Sequence, residues 1–292
     1  MFTILILSFH SRHLIVKLVK TIDRNIPILI IENSQDKELK DILEREYKNV
    51  RVIIPNENLG FSKAANLGIN ESKTDYVFFN PADVLLPKKC IEDLLECVTK
   101  FNNFAMFAPT YKDESVYKNY ELYSKKPVIE NNISEKFGMK EVDIIDGTFI
   151  IKKSEFKKIG LLDENIFIYF ETWDLSKRVA KAGKKMYVCE KIKFEHLGGQ
   201  SHNPKFNFQA SLQRNWHYCW SKFYYLRKYN NYFYALKKTL PTLIKSSIKY
   251  MKFMLSNNKK QSRLHLAEIK GLIAAYLLRK SSYRPYESSN IE

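Results

Sequence analysis

The chain has few cysteines, no long apolar run and, beyond residue 205, very few acids. Its four cysteines, at 90, 97, 189 and 219, show neither paired metal spacing nor the density of a disulfide scaffold, so they read as packing residues in a reducing, cytoplasmic compartment. No stretch approaches the roughly 20 apolar residues of a bilayer span. The start, Met1-Phe2-Thr3-Ile4-Leu5-Ile6-Leu7, lacks a basic lead and a small-residue cleavage site and reads as a first strand. From residue 205 onward, 17 lysines and arginines face 3 acids, which places +14 of the net charge of +16 in that segment. With 292 residues and 45% hydrophobic content, the chain can hold one α/β domain and an appendage. The division expected is 1–204 and 205–292.

Short apolar runs alternate with helical periodicity through the first part. Runs at 3–8, 27–31, 50–54 and 76–79 read as buried strands, and 12–21, 37–47 and 88–101 as helices. A mostly parallel, doubly wound α/β sheet follows from that alternation. Residues 104–109 form a further strand, 111–141 is polar and poorly periodic, and 142–151 returns to strand character around Asp146-Gly147-Thr148. A short helix stops at Gly160, the helix of 175–182 is preceded by acids that favour its positive end, and 186–189 is a last strand.

Several groups could carry chemistry on such a scaffold. Asp83 follows a strand that ends at Asn80-Pro81, and ligands of open α/β sheets bind beyond the carboxyl ends of strands. Glu171 and Asp174 stand three apart at a helix start, and His196 follows the last strand. Taken singly, each also reads as a turn residue, a helix cap or a structural histidine.

Their order is more specific. Ser8-Phe9-His10-Ser11, Glu32-Asn33-Ser34-Gln35-Asp36, Asn56-Glu57-Asn58-Leu59-Gly60-Phe61, Asn80-Pro81-Ala82-Asp83, the block from Asp163 to Asp174, and His196-Leu197-Gly198-Gly199-Gln200-Ser201 resemble, in sequence, the motifs of inverting family 2 glycosyltransferases, nearest to bacterial rhamnosyltransferase types. The resemblance covers roughly residues 1–228 and implies a GT-A fold, Rossmann-like, with a basic helical extension. It implies a nucleotide pocket of Ser8, Glu32, Asn33, Asn58, Gly60, Phe61, Asn66, Asn80 and Asp83, and a Mg2+ or Mn2+ site at Asp83 and His196. Asp146, Gly147 and Trp173 would face the acceptor. The donor implied is a dTDP- or UDP-type sugar, with rhamnose a candidate. The acceptor would be a polysaccharide or a lipid-linked glycan.

Two departures stand out. Similar enzymes carry a Glu-Asp pair whose second member is the general base, whereas this chain has Glu171-Thr172, and a threonine hydroxyl cannot take that proton at neutral pH. Glu171, preferred for its reach, or Asp174 would then be the base; a catalytically impaired binding module is the alternative. Ala82 also breaks the usual acidic metal motif, leaving Asp83 as its one carboxylate.

The basic segment holds three helical stretches. Residues 214–225 are aromatic and basic, fitting either packing or sugar stacking. In 236–255, Leu236, Leu240, Leu243, Ile244, Ile248, Met251 and Leu255 recur at helical spacing among lysines, around Pro241. That pattern fits an anionic membrane surface as well as an ordinary helix with a solvated face. Residues 264–278 form the last helix. Nucleic acid is not the expected partner, since no recognised nucleic-acid motif accompanies the charge.

Overall fold

A computed structural model describes residues 1–101, 103–114, 117–124, 126, 131–198 and 203–285. The chain divides into two compact units, one of residues 1–163 and 172–203, the other of 164–171 and 204–292.

The first unit opens with β1 (Phe2–Ser8), α1 (Arg12–Thr21), β2 (Ile28–Glu32), α2 (Lys37–Glu46), β3 (Val50–Ile53), α3 (Gly60–Glu71) and β4 (Tyr76–Phe79). β1 pairs in parallel with both β2 and β4, and β2 in parallel with β3. Successive residues of β1 serve opposite sides of the sheet. Ile4 and Ile6 pack with Leu14, Ile15 and Leu18 of α1, while Leu5 packs with Ala64, Ala65 and Ile69 of α3. Burial on both faces is what lets a parallel strand be apolar throughout. The N-terminus of α2 is held by Asp36, whose carboxylate accepts from the Leu39 amide at 3.0 Å.

Beyond β4 the elements are β5 (Val84–Leu85), α4 (Lys88–Lys100), β6 (Met106–Tyr111), β7 (Tyr120–Glu121), α5 (Asn132–Phe137), β8 (Met139–Glu141), β9 (Ile144–Ile145), β10 (Phe149–Lys152), α6 (Lys153–Ile159), α7 (Glu171–Lys181) and β11 (Met186–His196). Among the described residues the main sheet has nine strands, ordered β3-β2-β1-β4-β10-β6-β11-β5 with β8 also on β11. Here it is mixed, because β10 runs antiparallel to both β4 and β6. The excursion between Tyr111 and Thr148 returns to the end it left, so no helical crossover reverses it. The tract read as irregular, 111–141, holds β7, α5 and β8.

β11 is longer than the run at 186–189 suggested. Its pairing with β6 shifts register between Cys189 and Lys193, and then resumes with Lys193 opposite Thr110 and Phe194 opposite Tyr111. Such a bulge re-aims a strand instead of ending it. Its last residues, Glu195 and His196, pair antiparallel with Leu85 and Val84 of β5.

The second unit contains α8 (Asn207–Tyr229), α9 (Tyr232–Leu255) and α10 (Lys259–Tyr276). Its core is Leu212, Trp216, Trp220 and Phe223 of α8 with Ala235, Ala267 and Ala275. The aromatic stretch thus takes its packing role, with Trp220 Nε1 donating to the Arg279 carbonyl at 2.9 Å. Gly271 lets α10 approach α8 closely, since a Cβ there would lie 2.3 Å from the Trp216 carbonyl oxygen.

Candidate functional site

The carboxyl ends of β1, β2 and β4 carry most of the polar residues singled out above. Ser8 and Glu32 are register partners on neighbouring strands, both fully buried. The Glu32 carboxylate accepts from the hydroxyls of Ser8 and Ser34 and from the Ser34 amide at 2.6 Å. Asn33 ties this corner to the start of α3, its Nδ2 donating to the Gly60 carbonyl at 3.3 Å and its Oδ1 accepting from the Leu59 amide at 3.2 Å. Asn58 Oδ1 accepts from the Gly60 amide at 3.0 Å, where Gly60 takes a φ of 71° that glycine tolerates. Phe61 lies half-buried on the first turn of α3.

Asn66 is buried, its side-chain amide accepting from the Leu162 amide and donating to the Leu162 carbonyl, each at 3.0 Å. A side chain that closes such a pair with backbone serves to anchor that loop.

β4 ends in a tight turn, in which the Val84 amide donates to the Pro81 carbonyl at 3.1 Å. Asn80 braces the turn through Nδ2, which donates to the carbonyls of Pro81 and Val84 at 2.9 and 3.1 Å. Its Oδ1 is buried and finds no donor among the described residues, which marks a polar atom that awaits one. The turn presents Asp83, with a side chain only 4% exposed, to His196, whose Nε2 lies 3.5 Å from Asp83 Oδ2. The Leu197 amide donates to the Asp83 carbonyl at 2.9 Å and locks the two segments together. Gly198 is described, whereas 199–201 of the same motif lie outside the described residues.

Two tyrosines that sequence reasoning missed frame His196, with ring centroids of Tyr111 and Tyr117 at 5.2 and 4.7 Å. The Tyr111 hydroxyl pairs with Thr148 Oγ1 at 2.8 Å and accepts from the Thr148 amide at 3.1 Å, and burial pushes its pKa well above the ordinary phenol value. It therefore stays neutral. Gly147 adjoins it with φ of 69°, and a Cβ there would meet the Tyr111 hydroxyl at 2.7 Å. No local pattern in sequence signals these tyrosines: the β6–β11 pairing brings Tyr111 beside His196, and Tyr117 lies beyond the end of β6.

Asp146 precedes that glycine. Its Oδ1 accepts from the Gly147 amide at 2.8 Å and from Thr172 Oγ1 at 2.9 Å, and no described donor reaches Oδ2. Thr172 and half-buried Trp173 stand on the first turn of α7, which Glu171 opens as a buried residue. Asp174 is fully buried and bonded at 2.9 Å to Arg178 Nε. That guanidinium in turn holds the carbonyls of Gly160 and Leu161 at 2.7 and 2.8 Å. Through Arg178, Asp174 is tied to the loop at Gly160 and Leu161.

The donor set of Asp83 and His196, one hard oxygen and one imidazole, fits Mg2+ or Mn2+ when phosphate oxygens and waters fill the remaining positions. Among the described residues no group of three or more acids, histidines or cysteines could hold a metal without such help.

Residues 3–160 match the family described as Glycosyl transferase family 2. The chain belongs to that family. Similar to this family 2 chain is a dTDP-rhamnosyl transferase, RfbF, of Shigella flexneri, 25% identical over 188 residues that cover 61% of the chain and 62% of the relative. An N-acetylglucosaminyl-diphospho-decaprenol L-rhamnosyltransferase of Mycobacterium tuberculosis is 22% identical, covering 60% of the chain and 67% of the relative. The chain spans less than two thirds of the length of RfbF. Among solved structures, the mannosyltransferase PcManGT of Pyrobaculum calidifontis, in complex with GDP-Man and Mn2+, superposes with a TM-score of 0.56 at 11% identity, over 94% of this chain and 86% of that one. That likeness is one of fold, and the fold is GT-A.

Proposed function

We propose that this family 2 chain transfers a sugar, with inversion, from a nucleoside diphosphate to a glycan or lipid-linked glycan acceptor, and that the Asp83–His196 pair serves the leaving group. The observation that supports this most is the 3.5 Å approach of Asp83 Oδ2 and His196 Nε2 at the carboxyl end of β4. Rhamnosyl and other hexosyl donors of the dTDP or UDP type are the substrates to try first, by likeness to relatives whose names specify rhamnosyl transfer.

The nucleotide would lie over the carboxyl ends of β1 and β2, against Ser8, Glu32, Asn33, Asn58, Gly60 and Phe61. Asp83 and His196 would hold Mg2+ or Mn2+, which supplies charge neutralisation as the diphosphate departs. Asn80 Oδ1 is available to a donor on the ligand. Tyr111 and Tyr117 keep His196 oriented and shield it from water.

The acceptor proton needs a base within hydrogen-bond reach. Thr172 cannot be that base, and Asp174 is bound to Arg178. Glu171, the neighbour in sequence, is buried, whereas Asp146 is half-buried and aimed by the Thr172 hydroxyl. We assign the base to Asp146 ahead of Glu171, with Gly147 and Trp173 lining the acceptor side. On this reading the threonine is a positioning residue that hands the task to a carboxylate 26 residues away in sequence.

Turnover of dTDP-rhamnose and UDP-sugars with Mn2+, followed as released nucleoside diphosphate, tests the reading. Loss of turnover in Asp83→Ala and Asp146→Asn supports it. A wild-type chain that binds nucleotide calorimetrically yet releases none with any donor and acceptor would make it the impaired binding module instead.

A further inference from the structure

α9 is packed inside out. The side it buries carries small residues, Ala235, Thr239 and Ser246, while Leu240, Ile244, Ile248, Met251 and Leu255 are exposed, Ile248 at 64% and Leu255 at 84%. Spaced by three or four residues, these five fall within an arc of about 80° when each step turns about 100°. Phe233, 79% exposed, lies in the same arc about two turns before Leu240, with Lys237 between them. Soluble chains rarely leave a continuous apolar stripe of this length in water, and such stripes mark interaction surfaces.

The charge beside the stripe says what it meets. Lys238, Lys245, Lys249 and Lys252 fall on one flank of the helix, between the exposed stripe and the packed side. No aspartate or glutamate occurs anywhere from 196 to 267. On the lysine side, a cleft of about 370 Å³ is lined by Lys222 of α8 with Lys245 and Lys249, and contains one acid, Glu268, which Ser246 Oγ holds at 2.6 Å. A second copy of this chain would bring lysines against lysines, whereas an anionic surface offers the opposite charge beside an apolar interior. No described helix is long and apolar enough to cross a membrane, so the contact would be made along the surface.

We infer that α9 is a membrane-docking helix, which lays Leu240, Ile244, Ile248, Met251 and Leu255 into the acyl boundary of an anionic bilayer while its lysine flank meets the phosphates. The inference stands on the second unit alone and does not rest on the transfer reaction. A peripheral helix of this kind depends on both burial and charge, so each can be removed separately.

Flotation of the full chain with vesicles of phosphatidylcholine alone, and of phosphatidylcholine mixed with phosphatidylglycerol, is the test. The chain is expected to float with the mixed vesicles, to be released by salt, and to ignore the neutral ones. Ile244→Asp with Ile248→Asp, and separately Lys245→Glu with Lys249→Glu, are each expected to weaken binding about tenfold or more. All four side chains are exposed, so unchanged circular dichroism and melting should accompany the loss. Equal recovery with neutral and mixed vesicles, or flotation unaltered by either pair, overturns the inference. So does a dimer in gel filtration that the aspartate pair dissolves without any flotation of the wild type, since the stripe would then belong to a second copy.

Discussion

The residues proposed for the chemistry are few, and each owes its proposed role to what surrounds it. Asp146 and Asp174 are both carboxylates near the start of α7, yet one accepts from Thr172 while the other is buried against Arg178. Asp146→Asn is expected to lower kcat by about a hundredfold to ten-thousandfold, the range of a lost general base, with little change in donor KM. Thr172→Val, which removes only the hydrogen bond that aims the carboxylate, should lower kcat less and leave nucleotide binding alone. Equal kcat in wild type and Asp146→Asn, with a collapse in Glu171→Gln, would return the base to Glu171. Motif order brought Asp83 and His196 together in sequence analysis, because both belong to recognisable segments. The Thr172–Asp146 bond was illegible there: it joins positions 26 apart, and a threonine in place of an expected acid reads only as a loss.

At the scale of elements, short apolar runs were enough for β1, β2 and β4, since strands buried on both faces have little else in them, while the end strand β3 showed itself through Val50 and Val52 either side of exposed Arg51. β11 was harder to read. Its bulge at Cys189 to Lys193 interrupts the apolar pattern, and only pairing with Thr110, Tyr111 and β5 keeps the later residues extended to His196. The helices of the second unit show a different limit. Periodicity revealed the apolar stripe of α9 but not that the helix packs through Ala235, Thr239 and Ser246 and leaves the stripe outside. Close packing at small residues explains it, and Gly271 of α10 is the sharpest case. Gly271→Ala should destabilise the chain by about 1–3 kcal/mol in denaturant unfolding, because the added methyl meets the Trp216 backbone, which cannot yield as a flexible side chain would. A neutral or stabilising alanine would mean that α8 and α10 can part at little cost.

For the whole molecule, a buried histidine contributes to the response to acid. His217 is enclosed in the second unit, its ring stacked on Phe167 at 4.6 Å, with Nδ1 2.9 Å from Ser281 Oγ and Nε2 2.9 Å from the Tyr283 carbonyl. That pattern suits a neutral ring that donates from Nε2 and accepts at Nδ1. Burial lowers its pKa from 6.5 to about 3, so between those values the unfolded chain binds a proton that the folded chain refuses. Stability from this group is therefore complete above pH 6.5 and falls as the pH drops, by about 1.4 kcal/mol per pH unit within the window. Melting followed from pH 7 down to about pH 4 should show that decline, and His217→Phe should flatten it. A decline as steep in the variant would assign the acid sensitivity to other groups.

The proposed function requires Asp83 and His196 to act together in binding a nucleoside diphosphate with a metal ion. Calorimetric titration of UDP and dTDP into the protein, with Mn2+ and then with chelator, measures this directly in wild type, Asp83→Ala and His196→Ala. Binding that needs Mn2+ in wild type, and that either substitution weakens about tenfold or more, is the predicted result. Binding equally strong with chelator, or unchanged in both variants, would contradict it.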